Sequence, residues 1–68
     1  MEYTNSAVSR AIDEHIHSAR DREILKRRLI DGVPFEPLAE EFDLSVRHVK
    51  ALVYKQREIV FRHIQLDI

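Results

Sequence analysis

The sequence predicts an all-α fold of four helices, with a long helix at its C-terminal end. Apolar residues recur three or four positions apart along most of the chain, which is the spacing of one helix face. The 68 residues include one glycine and two prolines, and the only turn-rich point is 31–34. No long linker, low-complexity stretch or internal repeat divides the chain. We therefore expect residues 1–68 to form a single domain around one small core.

Composition excludes several kinds of protein. The chain has no cysteine, which excludes a disulfide framework and a thiolate zinc site and fits a reducing cytoplasm. No apolar run approaches the roughly 20 residues that span a bilayer. The first residues lack the basic and apolar segments of a signal peptide. These features predict a cytoplasmic protein with no membrane partner.

Charge is segregated along the chain, although the formal net charge is only −1. Five cations and two acids fall in 20–28, five acids and no base in 31–43, and five cations and one acid in 47–63. The local field of a basic segment determines how a surface meets phosphate. Ordinary solvated helix faces produce such runs as well, so charge alone leaves both interpretations open.

The first two helices are predicted from apolar spacing and from charge order. The first spans about 5–17, with Asn5 or Ser6 as its N-cap. Its inward positions are Val8, Ala11, Ile12 and Ile16. The second begins around Ser18 or Ala19, with acids in its first turn and cations toward its end, which is the order that the helix dipole favours.

Glycine and proline mark the boundaries of the third helix. Gly32 ends the second helix, because glycine is the usual residue just past a helix end. The third helix spans about 35–42. Pro34 precedes it, and Pro37 lies in its first turn, where backbone N–H groups have no partner within the helix.

The fourth helix is predicted from Val46 to about Gln65, with Ser45 as its N-cap. Its inward positions recur at helical spacing: Val49, Leu52, Val53, Ile59, Val60 and Ile64. Phe61 and Leu66 widen this apolar face. A helix of this length has a C-terminal half that either folds back on the first helix or meets a second copy of the chain. Packing within the chain is the favoured alternative.

The apolar residues between the third and fourth helices form a more specific pattern. Its members are Leu38, Ala39, Phe42, Leu44, Val49 and Leu52. Ala39 is small and lets the two helices approach closely, and Leu44 fills the turn between them. Val49 and Leu52 hold the fourth helix against the third. Such a lock sets two helices at a steep angle through a short turn. One face of the fourth helix then projects outward, as a major groove requires.

Residues 35–52, with the sequence FEPLAEEFDLSVRHVKAL, resemble the helix-turn-helix of region four in sigma-70-type factors. They are also similar to the C-terminal domain of LuxR-type response regulators, and 21–25 resemble the opening of the preceding helix in both families. The resemblance covers about 19–55, with the motif at about 35–55. It implies a transcription regulator or sigma-like factor, bacterial or phage, that binds double-stranded DNA. It also permits RNA polymerase as a partner.

Two positions depart from the pattern of these families. Asp43 occupies the turn position where glycine is usual, although aspartate tolerates the left-handed conformation better than most residues. Pro34 stands where the families often have a threonine that caps the helix and touches a phosphate. A phosphate contact at that position is therefore not expected.

The resemblance implies that the start and outer face of the fourth helix meet DNA. The candidate residues are Ser45, Val46, Arg47, His48, Lys50, Ala51, Tyr54 and Lys55. Arg47 and Lys50 can donate to guanine or to phosphate. The hydroxyls in this set are candidate phosphate donors, and its apolar members can contact a thymine methyl group. Arg57 is a candidate phosphate neutraliser, and Arg22 and Arg28 are weaker candidates.

Other functions have less support in the sequence. No nucleophile stands at a meaningful spacing from a base and no glycine-rich phosphate loop is present, so we expect neither an enzyme nor a cofactor. His15 and His17 point to nearly opposite sides of a helix and cannot chelate a metal together. The alternative function is a protein-interaction or self-association module, including a homodimer through the C-terminal helix. The negative net charge and the apolar residues near that end favour it.

Overall fold

The computed structural model describes residues 4–64, which fold into four α-helices without a strand. They are α1 (Asn5–His15), α2 (Ala19–Leu29), α3 (Phe35–Glu41) and α4 (Val46–His63). The all-α, four-helix prediction is confirmed, and α4 is the longest helix, although it ends at His63 and Ile64, predicted inside it, follows as an extended C-cap residue. Predicted positions Gln65 and Leu66 lie outside the described residues. No helix within 4–64 is both long and apolar enough to cross a bilayer.

Both ends of α1 differ from the prediction. Thr4 is the N-cap, because its Oγ1 accepts the N–H of Ala7 at 3.0 Å, whereas Asn5 and Ser6 already lie inside the helix. The helix ends at His15 because Ile16 turns into an extended conformation. That turn keeps the Ile16 side chain in the core, with 4% of its surface exposed. Tertiary burial therefore ends α1 two residues before the predicted boundary.

The boundary after α2 depends on a glycine in the left-handed conformation. Ser18 caps the start of α2, and Gly32 follows its end with φ of +71°. The N–H of Val33 then donates to the carbonyl of Arg27 at 3.0 Å. The sequence-based interpretation of Gly32 as the stop signal is confirmed.

Replacing Gly32 with alanine is expected to lower the free energy of unfolding by about 1 kcal/mol, because an L side chain is strained at this φ. A Cβ atom at this position would meet nothing within 4 Å, so the loss isolates the backbone term. Urea denaturation followed by circular dichroism measures it. Gly32→Asn should lose less, since asparagine tolerates the left-handed region. An alanine variant as stable as the wild type would contradict this explanation.

Two backbone hydrogen bonds, from residues of the turn back to carbonyls near the end of α3, close the turn from α3 to α4. The N–H of Leu44 donates to the carbonyl of Ala39 at 2.9 Å, and the N–H of Asp43 donates to the carbonyl of Glu40 at 3.2 Å. This pair of bonds is the Schellman arrangement, which requires a left-handed residue after the helix cap. Asp43 supplies it with φ of +57°. The sequence therefore identified the correct residue for this conformation.

Ser45 caps α4 as predicted, with its Oγ accepting the N–H of His48 at 3.1 Å. Replacing Ser45 with alanine removes this acceptor and is expected to cost about 1 kcal/mol of unfolding free energy. Ser45→Asn is the matched control, because asparagine caps helices as well as serine does. Chemical denaturation of the two variants without any ligand measures the difference. Equal stability of the two would show that this hydrogen bond does not anchor α4.

One core holds the four helices together. Its members are Val8, Ala11, Ile12, Ile16, Ile24, Leu25, Leu38, Ala39, Val49, Leu52, Val53 and Val60. The longest helix, α4, contacts each of the other three, whereas α1 and α3 do not touch. Near the C-terminal end of α4, Val60 is fully buried and His63 stacks on His15 of α1 at 4.0 Å. The end of α4 therefore folds back on α1, as the favoured alternative predicted.

Candidate functional site

The outward face of α4 exposes the residues that the sequence singled out. Helical spacing places Arg47, Lys50, Ala51 and Tyr54 on one side of the helix, and all four are exposed. The opposite side is buried through Val49 and its neighbours in the core. Tyr54, 48% exposed, is the one large apolar side chain within 4–64 that is classed as exposed. The packing of α4 against α3 thus leaves a polar face of α4 exposed to solvent.

The remaining four candidates divide between the surface and the helix cap. Ser45, His48 and Lys55 are exposed, whereas Val46 is half-buried and packs against the core. The oxygen of Ser45 is occupied as an acceptor, but its hydroxyl can still donate. Val46 has limited surface left for a thymine methyl group. Seven of the eight predicted residues are therefore exposed, and Val46 is the least accessible.

All five cations of α2 make polar contacts within the protein, and three of them pair with carboxylates. Arg20 pairs with Asp21 at 3.1 Å, Lys26 with Asp13 at 2.7 Å and Arg27 with Glu41 at 2.6 Å. Arg22 donates to the carbonyls of Ile16 and His17 and so closes the end of α1. The hydrogen bond that Arg27 donates to the Glu41 carboxylate, together with the negative charge of that group, raises the pKa of the Arg27 guanidinium above its usual value. The basic run at 20–28 is therefore largely structural.

Arg28 donates to the carbonyl of Val33 but pairs with no carboxylate within 4–64, and it belongs to a cluster of cations and aromatic rings. We call this cluster the cation–aromatic strip: Arg28, Phe35, Lys50, Tyr54 and Arg57. The Arg28 guanidinium lies 4.1 Å from the centroid of the Phe35 ring, and the Lys50 Nζ lies 5.7 Å from the same centroid. Phe35 meets Tyr54 edge-on at 5.9 Å, and the Arg57 guanidinium lies 5.0 Å from the Tyr54 centroid. Residues from α2, α3 and α4 thus form one surface.

None of the cations around this surface forms a salt bridge with a carboxylate within 4–64. This is true of Arg28, Arg47, Lys50, Lys55 and Arg57. Unpaired exposed cations add little to the stability of a fold, and even paired ones contribute little at a surface. Their positive field is therefore available to an anionic ligand.

An open cleft lies beside the first turn of α4. It has a volume of about 400 Å³ and is lined by Pro34, Phe35, Glu36, Pro37, Val46 and Lys50. Pro34 is the N-cap residue of α3 and makes no side-chain capping hydrogen bond. The cleft therefore brings the proline-bordered start of α3 next to the Lys50 side chain.

The acidic residues of α3 lie on the surface as well. Glu36 and Glu40 are exposed, whereas Glu41 is held by Arg27. Within 4–64 no group of three histidine, aspartate or glutamate side chains comes close enough together to hold a metal ion. The apolar residues near the C-terminal end of α4, Ile59, Phe61 and Ile64, are half-buried against the core. The apolar surplus that favoured self-association is therefore largely used within the chain.

The sequence missed Phe35 as a candidate site residue. The sequence assigned Phe35 neither to the core pattern nor to the site, and the structure shows it half-buried. The missing signal is spatial, since Arg28 and Lys50 reach Phe35 from two other helices.

Comparisons of the chain with protein-family models, with curated proteins and with solved structures find no match.

Proposed function

We propose that this chain is a DNA-binding transcription regulator or sigma-like factor that inserts the first turns of α4 into the major groove of double-stranded DNA. The observation that carries the proposal is the free outer face of α4, where exposed unpaired cations stand opposite a fully packed inner face. An α-helix with its side chains is about 10–12 Å wide. The major groove, about 12 Å wide, admits it.

The charge of α4 limits the part that enters the groove. Arg47, Ala51 and Tyr54 follow one another along the outer face, and Glu58 continues the same line one turn later. A carboxylate beside phosphates is repelled, so the contact ends before Glu58. Arg47 is then the donor to base edges, Ala51 faces a thymine methyl group, and Lys55 neutralises a phosphate at the edge of the groove.

The proposal also has consequences for location and partners. A transcription regulator of this kind acts in the cytoplasm, where the DNA of a bacterial or phage-infected cell lies. In the sigma-like form of the proposal, RNA polymerase is the second partner, and the exposed Glu36 and Glu40 are available to a basic surface. If the chain acts as a dimer, its two half-sites stand about one helical turn apart.

Selection of bound duplexes from a random pool tests the proposal. The purified chain should enrich a common sequence, and its affinity for that sequence should fall steeply as salt rises, because phosphate contacts release counterions. A scrambled duplex should bind more weakly by about a thousandfold or more at the same salt. A chain that enriches no sequence and binds no duplex at low salt would contradict the proposal. The alternative of a protein-interaction module would then remain, with the mass of the chain in solution as its first test.

A further inference from the structure

The cation–aromatic strip has a geometry that suits a chain of phosphates rather than base edges. We infer that the strip binds the phosphate backbone of duplex DNA alongside the groove, so that Lys50 contacts phosphate and Arg47 alone reads bases. This inference rests on the proposed function and adds to it the assignment of Lys50 to phosphate, the choice of Arg28 over Arg22 as the phosphate ligand of α2, and a positioning role for Phe35.

Arg28 is held in place before any ligand arrives. Its guanidinium stacks over Phe35 at 4.1 Å, and its Nη1 donates to the carbonyl of Val33 at 3.1 Å. A guanidinium has five N–H donors, so most of them remain for a phosphate. Because the group is already ordered, it loses less conformational freedom on binding than a mobile side chain would.

Lys50 is directed toward α3 rather than along the outer face of α4. Its Nζ lies within cation–π range of Phe35, at 5.7 Å, and it lines the cleft that Pro34 and Pro37 border. Arg47 has no such contact and stays on the outer face. The two cations that the sequence treated alike are therefore placed differently, with Lys50 at the flank of the helix.

The aromatic rings of the strip position cations instead of stacking on bases. Single-stranded nucleic acids are held by open aromatic faces. Here Arg28 and Lys50 lie over the Phe35 ring, and Arg57 lies over the Tyr54 ring. Phe35 is half-buried and Tyr54 carries Arg57 over its ring, so the strip presents a row of positive charges that matches the phosphates of a duplex. Of the other cations of α2, three pair with carboxylates and Arg22 closes the end of α1, whereas Arg28 is the one that lies beside Phe35 with its charge unpaired within 4–64.

Salt titrations of DNA binding test the strip. Each phosphate contact contributes about 0.9 to the slope of log affinity against log salt concentration. Arg28→Ala and Arg57→Ala should each reduce the slope by about 0.9 on a random-sequence duplex, whereas Arg20→Ala, which removes the same charge from a residue paired with Asp21, should leave it unchanged. Circular dichroism verifies folding, and Arg57→Ala tests the strip even if Arg28→Ala unfolds. Equal slopes for all variants, or an equal decrease including Arg20→Ala, would overturn the inference.

Two further variants separate phosphate contacts from base contacts. Lys50→Ala should weaken binding to a selected duplex and to its scrambled version by the same factor, whereas Arg47→Ala should weaken binding to the selected duplex alone. Phe35→Leu keeps every charge and should lower affinity at each salt concentration without changing the slope. A loss confined to the selected duplex for Lys50→Ala would show that Lys50 reads a base and would overturn its assignment to phosphate. If the unaltered chain binds no duplex at all, the proposed function fails together with the strip.

Discussion

Replacing Leu38 with alanine is expected to lower the free energy of unfolding by about 2–5 kcal/mol. Domains have about 0.05–0.15 kcal/mol of stability per residue, so a chain of this length has roughly 3–10 kcal/mol in total. The substitution therefore removes a large share of the stability. Leu38 is fully buried, and α3 has only seven residues, too few to form a stable helix in isolation. Leu38 and Ala39 are its two buried anchors.

Urea denaturation measures this loss, and two other variants provide its controls. Glu40→Ala changes an exposed residue of the same helix and should remain within about 0.5 kcal/mol of the wild type. Leu38→Met keeps the volume nearly constant and should cost less than about 1.5 kcal/mol. If the unfolding free energy of Leu38→Ala lies within about 1 kcal/mol of the wild-type value, α3 is held by something other than this side chain.

Melting of α3 would also disturb the cation–aromatic strip. Phe35 is the first residue of α3, and it is the ring that orders Arg28 and Lys50. Loss of α3 would leave these cations mobile, although their charges would remain. Stability of the short helix and order in the cation–aromatic strip are therefore expected to decrease together.

Local signals predicted the region around the α3–α4 turn well. Ser45 as the cap, Asp43 in the left-handed conformation and Pro34 without a capping contact follow from side-chain chemistry within a few residues. The outer face of α4 follows from helical periodicity, because every buried position in its first half predicts which positions are exposed. These features depend on residues that are close together in the sequence, and they can therefore be predicted from the sequence alone.

The boundaries of α1 and the cation–aromatic strip depend on distant parts of the chain. Thr4, Asn5 and Ser6 are all residues that cap helices, so local chemistry does not choose between them. The end of α1 is decided by burial of Ile16 in an extended conformation and by Arg22 of the next helix. Likewise, the pairing of Lys26 with Asp13 joins two helices. Periodicity within one helix cannot predict which cations find carboxylates and which find rings.

Reversing the charge of Arg47 is expected to produce the largest change in DNA binding. Arg47→Glu removes a base contact worth about 1–3 kcal/mol and places a like charge against the phosphates, which costs several kcal/mol more. Affinity for a selected duplex should therefore fall by about a thousandfold. Arg47 is exposed and forms no salt bridge or side-chain hydrogen bond within 4–64. The unfolding free energy of the Arg47→Glu variant should therefore differ from that of the wild type by less than about 0.5 kcal/mol.

The matched control for this variant is Arg10→Glu, which changes the net charge by the same amount. Arg10 is exposed on α1, a helix that does not touch α3. Fluorescence anisotropy titrations of both variants at one salt concentration give the comparison, and only the Arg47 variant should lose affinity strongly. Equal losses would mean that net charge, rather than the outer face of α4, governs the interaction. Because the two variants share the same net charge and one fold, a difference between them can arise only from where the charge stands, and this position is what the groove-binding proposal specifies.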